Sequence, residues 1–82
     1  QSQYVGHVTE IDAEGWATVE VKNRFAVGDT LEIIHPEGNQ TITLEQMTRK
    51  GAAVEVAPGN GIQVKIPNMQ GKEKALLARV IK

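Results

Sequence analysis

Short runs in which apolar and polar residues alternate, each closed by glycine, proline or asparagine, leave this chain few folds to choose from. The clearest run is Trp16 to Lys22, where Ala17, Val19 and Val21 alternate with Trp16, Thr18, Glu20 and Lys22. A period of two places one set on each face of a strand. The pattern recurs in Tyr4–Ile11, Leu31–Ile34, Gln40–Arg49, Ala53–Val56 and Ile62–Pro67. Lys72–Lys82 is rich in Ala, Leu, Lys and Glu, which favours helix, yet Leu76, Ala78 and Val80 also alternate with Leu77, Arg79 and Ile81. Closing a sheet removes its edges, so a final strand is preferred there. The expected fold is all-β: a small closed antiparallel β-barrel of six to seven strands, formed by residues 1–82 as a single domain. Its predicted interior is Val8, Val19, Val21, Leu31, Ile33, Ile42, Leu44, Val54, Val56, Ile62, Val64, Ile66 and Val80. On the first strand Val5, His7, Thr9 and Ile11 should share one face, and Tyr4, Gly6 and Val8 the other.

The connections carry turn chemistry. In Asn23–Ile34 the apolar pair Phe25 and Val27 should anchor a loop by burial, and Gly28-Asp29 should turn the chain, with Asp29 accepting hydrogen bonds from nearby backbone N–H groups. Pro36 and Gly38 make a hairpin connection after His35. A bulge near Gln46 should return Met47 to the core. Ala57-Pro58-Gly59-Asn60-Gly61 resembles a phosphate-binding loop only superficially, since position 64 is valine and no helix follows. Trp16, the only tryptophan, is either a partner-docking aromatic or a lid over the barrel end, the lid being the commoner role for a ring near a strand end.

The 82 residues contain no cysteine, which excludes disulfides, thiolate metal sites, iron–sulfur ligation by this segment and a cysteine nucleophile. His7 and His35 have no partner at a ligand or nucleophile–base spacing, so no catalytic, metal or cofactor residue is assigned. No apolar run reaches the roughly 20 residues that span a bilayer, and no membrane partner is expected. The start, Gln1-Ser2-Gln3-Tyr4-Val5, has neither signal-peptide character nor an initiator Met, and reads as the beginning of a fragment of a longer protein.

Charge is uneven. Residues 1–48 hold two cations against eight acids (net −6), and residues 49–82 hold seven against two (net +5). Such asymmetry suits an acidic partner, although strands that interleave would mix the two sets. The residues singled out for contact with RNA or a protein partner are Trp16, Arg49, Lys50, Lys65, Lys72, Lys74 and Arg79. For Arg49-Lys50-Gly51 the plainer reading is a solvated basic turn.

Two motifs together point further. Phe25-Ala26-Val27-Gly28-Asp29-Thr30-Leu31-Glu32-Ile33 is followed, some thirty residues on, by Val54-Glu55-Val56-Ala57-Pro58-Gly59-Asn60-Gly61-Ile62-Gln63-Val64. The order looks like the second, β-barrel domain of translational GTPases such as elongation factor Tu. A closer match, over Lys22–Ile34 and Val54–Ile66 and extending across residues 4–82, is to the C-terminal domain of the U-thirty-two family, long filed as peptidases or collagenases. The resemblance implies a cytoplasmic parent protein whose catalytic domain precedes this one. That family includes proteins for hydroxylation of transfer-RNA uridine, and they rely on cysteine-ligated iron–sulfur chemistry that this cysteine-free segment cannot supply. It therefore implies an accessory domain, without a cofactor of its own, that packs against the catalytic domain or docks a partner. The alternatives are contact with transfer RNA through the basic residues, and positioning of a peptide for a true protease.

Overall fold

The strand at the centre of the fold is the one most plainly written in the sequence. In the computed structural model, which describes residues 1–82, it spans Ala17–Val21 (β2), with Ala17, Val19 and Val21 fully buried. The other strands are β1 (Ser2–Ile11), β3 (Phe25–Ala26), β4 (Thr30–Ile34), β5 (Gln40–Thr43), β6 (Thr48–Arg49), β7 (Ala52–Ala53), β8 (Val56–Ala57), β9 (Gln63–Ile66) and β10 (Leu76–Val80). Six of the ten have four residues or more; β3, β6, β7 and β8 are two-residue pieces. All pairings are antiparallel. There is no helix, so none is long and apolar enough to cross a membrane.

Eight strands form one sheet in the order β5-β4-β10-β1-β2-β9-β6-β7, and β3 and β8 form a second. The expected continuous closed ladder is not what is seen: the sheet ends at β5 and β7. The short β3–β8 pair and the segment after β3 continue the hydrogen bonding beyond the strand ends. Gly28 N–H donates to Leu44 C=O (2.8 Å), Leu44 N–H to Asp29 C=O (2.9 Å) and Val27 N–H to Glu55 C=O (2.9 Å). These bonds prolong the β4–β5 and β3–β8 pairings through loop backbone and satisfy its polar groups.

The core joins both sheets. Phe25, Leu31, Ile33, Leu44, Met47, Val64, Ile66, Met69 and Leu77 are all essentially inaccessible. Phe25 is the anchor expected of it, and Met47 is inside as expected. Other positions differ from the alternation. Bulges at Tyr4/Gly6 and Val8/Glu10 shift the register of β1, so Val5 and Val8 both point inward despite their opposite parity. The bulge also brings Gly6 against β2, where a Cβ would overlap the Glu20 carbonyl oxygen. The Ala53–Val56 run is broken between β7 and β8, and Val56 is 39% exposed rather than interior. Ile42, Val54 and Ile62 are only partly buried at the core margin, and Val80 is half-buried. In β10 it is Leu77 that faces the core, while Leu76 is exposed. Met69 and Ala75, in the loop before β10, are buried although no strand pattern marks them.

Asp29 does what its place in the turn suggests. Its Oδ2 accepts the Ala26 N–H at 2.8 Å, and Asp29 N–H returns to Ala26 C=O. Asp29→Ala should therefore cost about 1–2 kcal/mol. At roughly 4–8 °C per kcal/mol for a domain of this size, a thermal melt should show a clear drop in Tm with cooperativity retained.

Candidate functional site

Antiparallel pairing of β2, β9 and β6 sets Thr18 opposite Lys65 and Lys65 opposite Thr48. Because Val19, Val64 and Ile66 face the core, this row lies on the outer face of the sheet. Beyond it the β6–β7 hairpin turns through Lys50 and Gly51, whose φ values are 52° and 81°. Two successive positive φ values are those of a type I′ turn, which matches the twist of a two-residue hairpin. The hairpin stands beside β9, and between them runs an open groove of about 570 Å³ lined by Thr18, Thr48, Arg49, Lys50, Gln63 and Lys65, among others.

No acid lines this groove. Glu20, one row away, takes a long 3.5 Å hydrogen bond from Gln63 Nε2. Lys50 and Lys65 are exposed, Arg49 and Thr48 half-buried and Thr18 nearly covered, so three cationic residues and two threonines line one concavity. That arrangement can hold an anion, the cations by charge and the hydroxyls by hydrogen bonding. A smaller hollow of about 210 Å³ by Gln40, Glu45 and Asn68 contains no cation.

Three of the seven contact residues singled out from sequence, Arg49, Lys50 and Lys65, are thus brought together. Lys72 and Lys74 lie in the loop before β10, outside the groove. Arg79 lies on β10, where its guanidinium donates to Gln3 Oε1 at 3.2 Å. Trp16 precedes β2 on the side of Thr18 but does not line the groove; it is half-buried, and Asp12 Oδ1 accepts its backbone N–H at 3.0 Å. Thr18, Thr48 and Gln63 were not marked by the sequence, since only the pairing of β2, β9 and β6 makes them neighbours. The histidines have local roles: His35 Nδ1 accepts the Glu37 N–H at 3.1 Å, and His7 Nδ1 lies 3.2 Å from the Tyr4 hydroxyl. No three His, Asp or Glu side chains are grouped as metal ligands.

The charge halves of the sequence are partly mixed and partly kept apart. β10 inserts between β4 and β1, carrying Arg79 among acidic strands, whereas β9, β6 and β7 remain together at one end of the sheet.

Lys50 holds its left-handed backbone without being glycine or asparagine, which costs about 1 kcal/mol. Lys50→Asn restores the Asn-Gly pair this turn favours. The variant should melt several degrees above the parent in a thermal scan, while losing one groove cation.

A model of the peptidase family U32 C-terminal domain matches residues 1–79. The chain belongs to that family. The U32 domain is 45% identical over 82 residues to tRNA hydroxylation protein P of Escherichia coli K12, and 36% identical over 83 residues to the protein of the same name from Haemophilus influenzae. Each match covers 96% of the chain and 18% of the relative, so the U32 domain spans less than a fifth of the length of these curated relatives. Its fold matches a crystal structure of the C-terminal domain of a Geobacillus thermoleovorans protein assigned to U32, with a TM-score of 0.85 and 25% identity over 96% of this chain and 93% of that one. A selenomethionine variant of the same domain gives a TM-score of 0.77 and 27% identity, covering 92% and 96% of the two chains.

Proposed function

We propose that the U32 domain is a non-catalytic accessory module of an RNA-modification protein, and that its groove holds the phosphate backbone of transfer RNA. The observation that carries this reading is that Arg49, Lys50 and Lys65 all line one concavity with no acid in its wall. The name of the curated relatives, tRNA hydroxylation protein P, supplies the class of anion. Phosphate contacts fix position without reading sequence, which suits a domain whose task is to hold a substrate for chemistry done elsewhere in the protein, in the cytoplasm. The rolled sheet serves as a barrel-like frame that keeps the three cations in place.

Positioning of a peptide is the weaker reading. The groove is lined by charged and polar groups with a single valine, which offers little to an apolar peptide side chain.

The test is titration of fluorescently labelled transfer RNA with the parent domain and with the triple variant Arg49→Gln/Lys50→Gln/Lys65→Gln at low salt. The parent should bind, and the variant should bind far more weakly. Equal binding by both would remove the groove from the account.

A further inference from the structure

β10 carries a leucine on each of its faces. Leu77 points into the core and is fully buried. Leu76, Ala78 and Val80 have the opposite parity; of these Leu76 is exposed, Val80 half-buried and Ala78 covered. β10 is also an interior strand of the sheet, between β4 and β1. Its outer row continues on both sides: Leu76 pairs with Ile34 of β4 and His7 of β1, and Ala78 pairs with Glu32 and Tyr4. Leu76 is 45% exposed and Tyr4 42%. Ile81, just past β10, is 41% exposed. Three of the four large apolar side chains left exposed in this chain therefore lie on or beside two neighbouring strands. A contiguous exposed apolar surface marks an interaction site.

The place of this face relative to the chain termini indicates what covers it. Ser2 pairs with Val80, and Ile81 N–H donates to Gln1 C=O at 2.8 Å. The face thus begins where the polypeptide enters the domain. The curated relatives hold this domain in 18% of their length, and the matching family is a C-terminal domain, so in them most of the polypeptide precedes this point. A domain tethered there meets the face at high effective concentration.

We infer that the outer face of β10, centred on Leu76 with Tyr4 and Ile34, is the seat of the domain that precedes this one in a U32 protein. The inference is independent of RNA binding, because the groove is lined from β2, β9, β6 and the turn after β6 and takes no residue from β10, β1 or β4.

The test joins this chain to the E. coli relative in place of that protein's own C-terminal domain, and compares the chimaera with the isolated 82-residue chain. In each, Leu76→Cys and, separately, Lys50→Cys are exposed to a maleimide, and labelling of the relevant peptide is followed by mass spectrometry. Cys at position 76 should react at least tenfold more slowly in the chimaera than in the isolated chain, and Cys at position 50 at similar rates in both. Leu76→Arg should leave the Tm of the isolated chain and its RNA titration unchanged, yet make the junction of the chimaera more sensitive to protease. Equal reactivity of position 76 in a folded, monodisperse chimaera would overturn the inference. So would concentration-dependent dimerisation of the isolated chain that protects position 76, since the occupant would then be a second copy.

Discussion

Val64→Asp should abolish the cooperative thermal transition of the domain. Val64 is 1% exposed on β9, paired with Val19, in a core it shares with Phe25, Leu31, Ile33 and Ile66. The substitution forfeits about 1.5–3 kcal/mol of apolar burial and places a carboxylate where no partner exists, at a further cost of several kcal/mol even after it takes up a proton. A domain of 82 residues has only about 4–12 kcal/mol in total, and a small core lies toward the lower end. Val56→Asp is the paired control. Both valines have the alternation of an inward strand residue, but Val56 is 39% exposed, and its substitution should move stability by no more than about 0.5 kcal/mol. A melt in which Val64→Asp unfolds at the parent's temperature, or in which Val56→Asp fails to fold, would contradict the packing described.

The second large effect concerns the groove. Each cation that neutralises a phosphate contributes about tenfold to affinity at 50 mM salt, so Arg49→Gln/Lys50→Gln/Lys65→Gln should weaken transfer-RNA binding by on the order of a thousandfold. A charge-matched control separates the site from net charge. Lys72→Gln/Lys74→Gln/Lys82→Gln removes the same three charges from positions outside the groove and should bind within a few fold of the parent. If the two triple variants lose affinity equally, diffuse charge rather than the groove attracts the RNA.

Much of the fold was legible because single strands announce themselves. In β2 and β9 the apolar set of each alternation is the buried one, with Thr18 of β2 also covered. The Asp29 turn and the inward return of Met47 were likewise readable from a few local residues. Where reading failed, the missing information was non-local. β10 is apolar at nearly every position, so parity could not choose between Leu76 and Leu77; the ladders with β1 and β4 choose. The break between β7 and β8 turns Val56 outward, and β3 and β8 pair apart from the large sheet; neither follows from periodicity. The site shows the same divide. Arg49 and Lys50 were visible as a basic turn, but Lys65 joins them only because β6 lies against β9 in the fold. Lys72, Lys74 and Arg79 looked equivalent to them in sequence and are placed elsewhere.

The salt dependence of transfer-RNA binding tests the central claim most directly. For three phosphate contacts, the slope of log K against log salt should be about −2 to −3 for the parent, and the Arg49/Lys50/Lys65 variant should be shallower by about one unit for each contact removed. No binding at 50 mM salt, or a slope that the groove substitutions leave unchanged, would contradict the assignment of this groove to RNA.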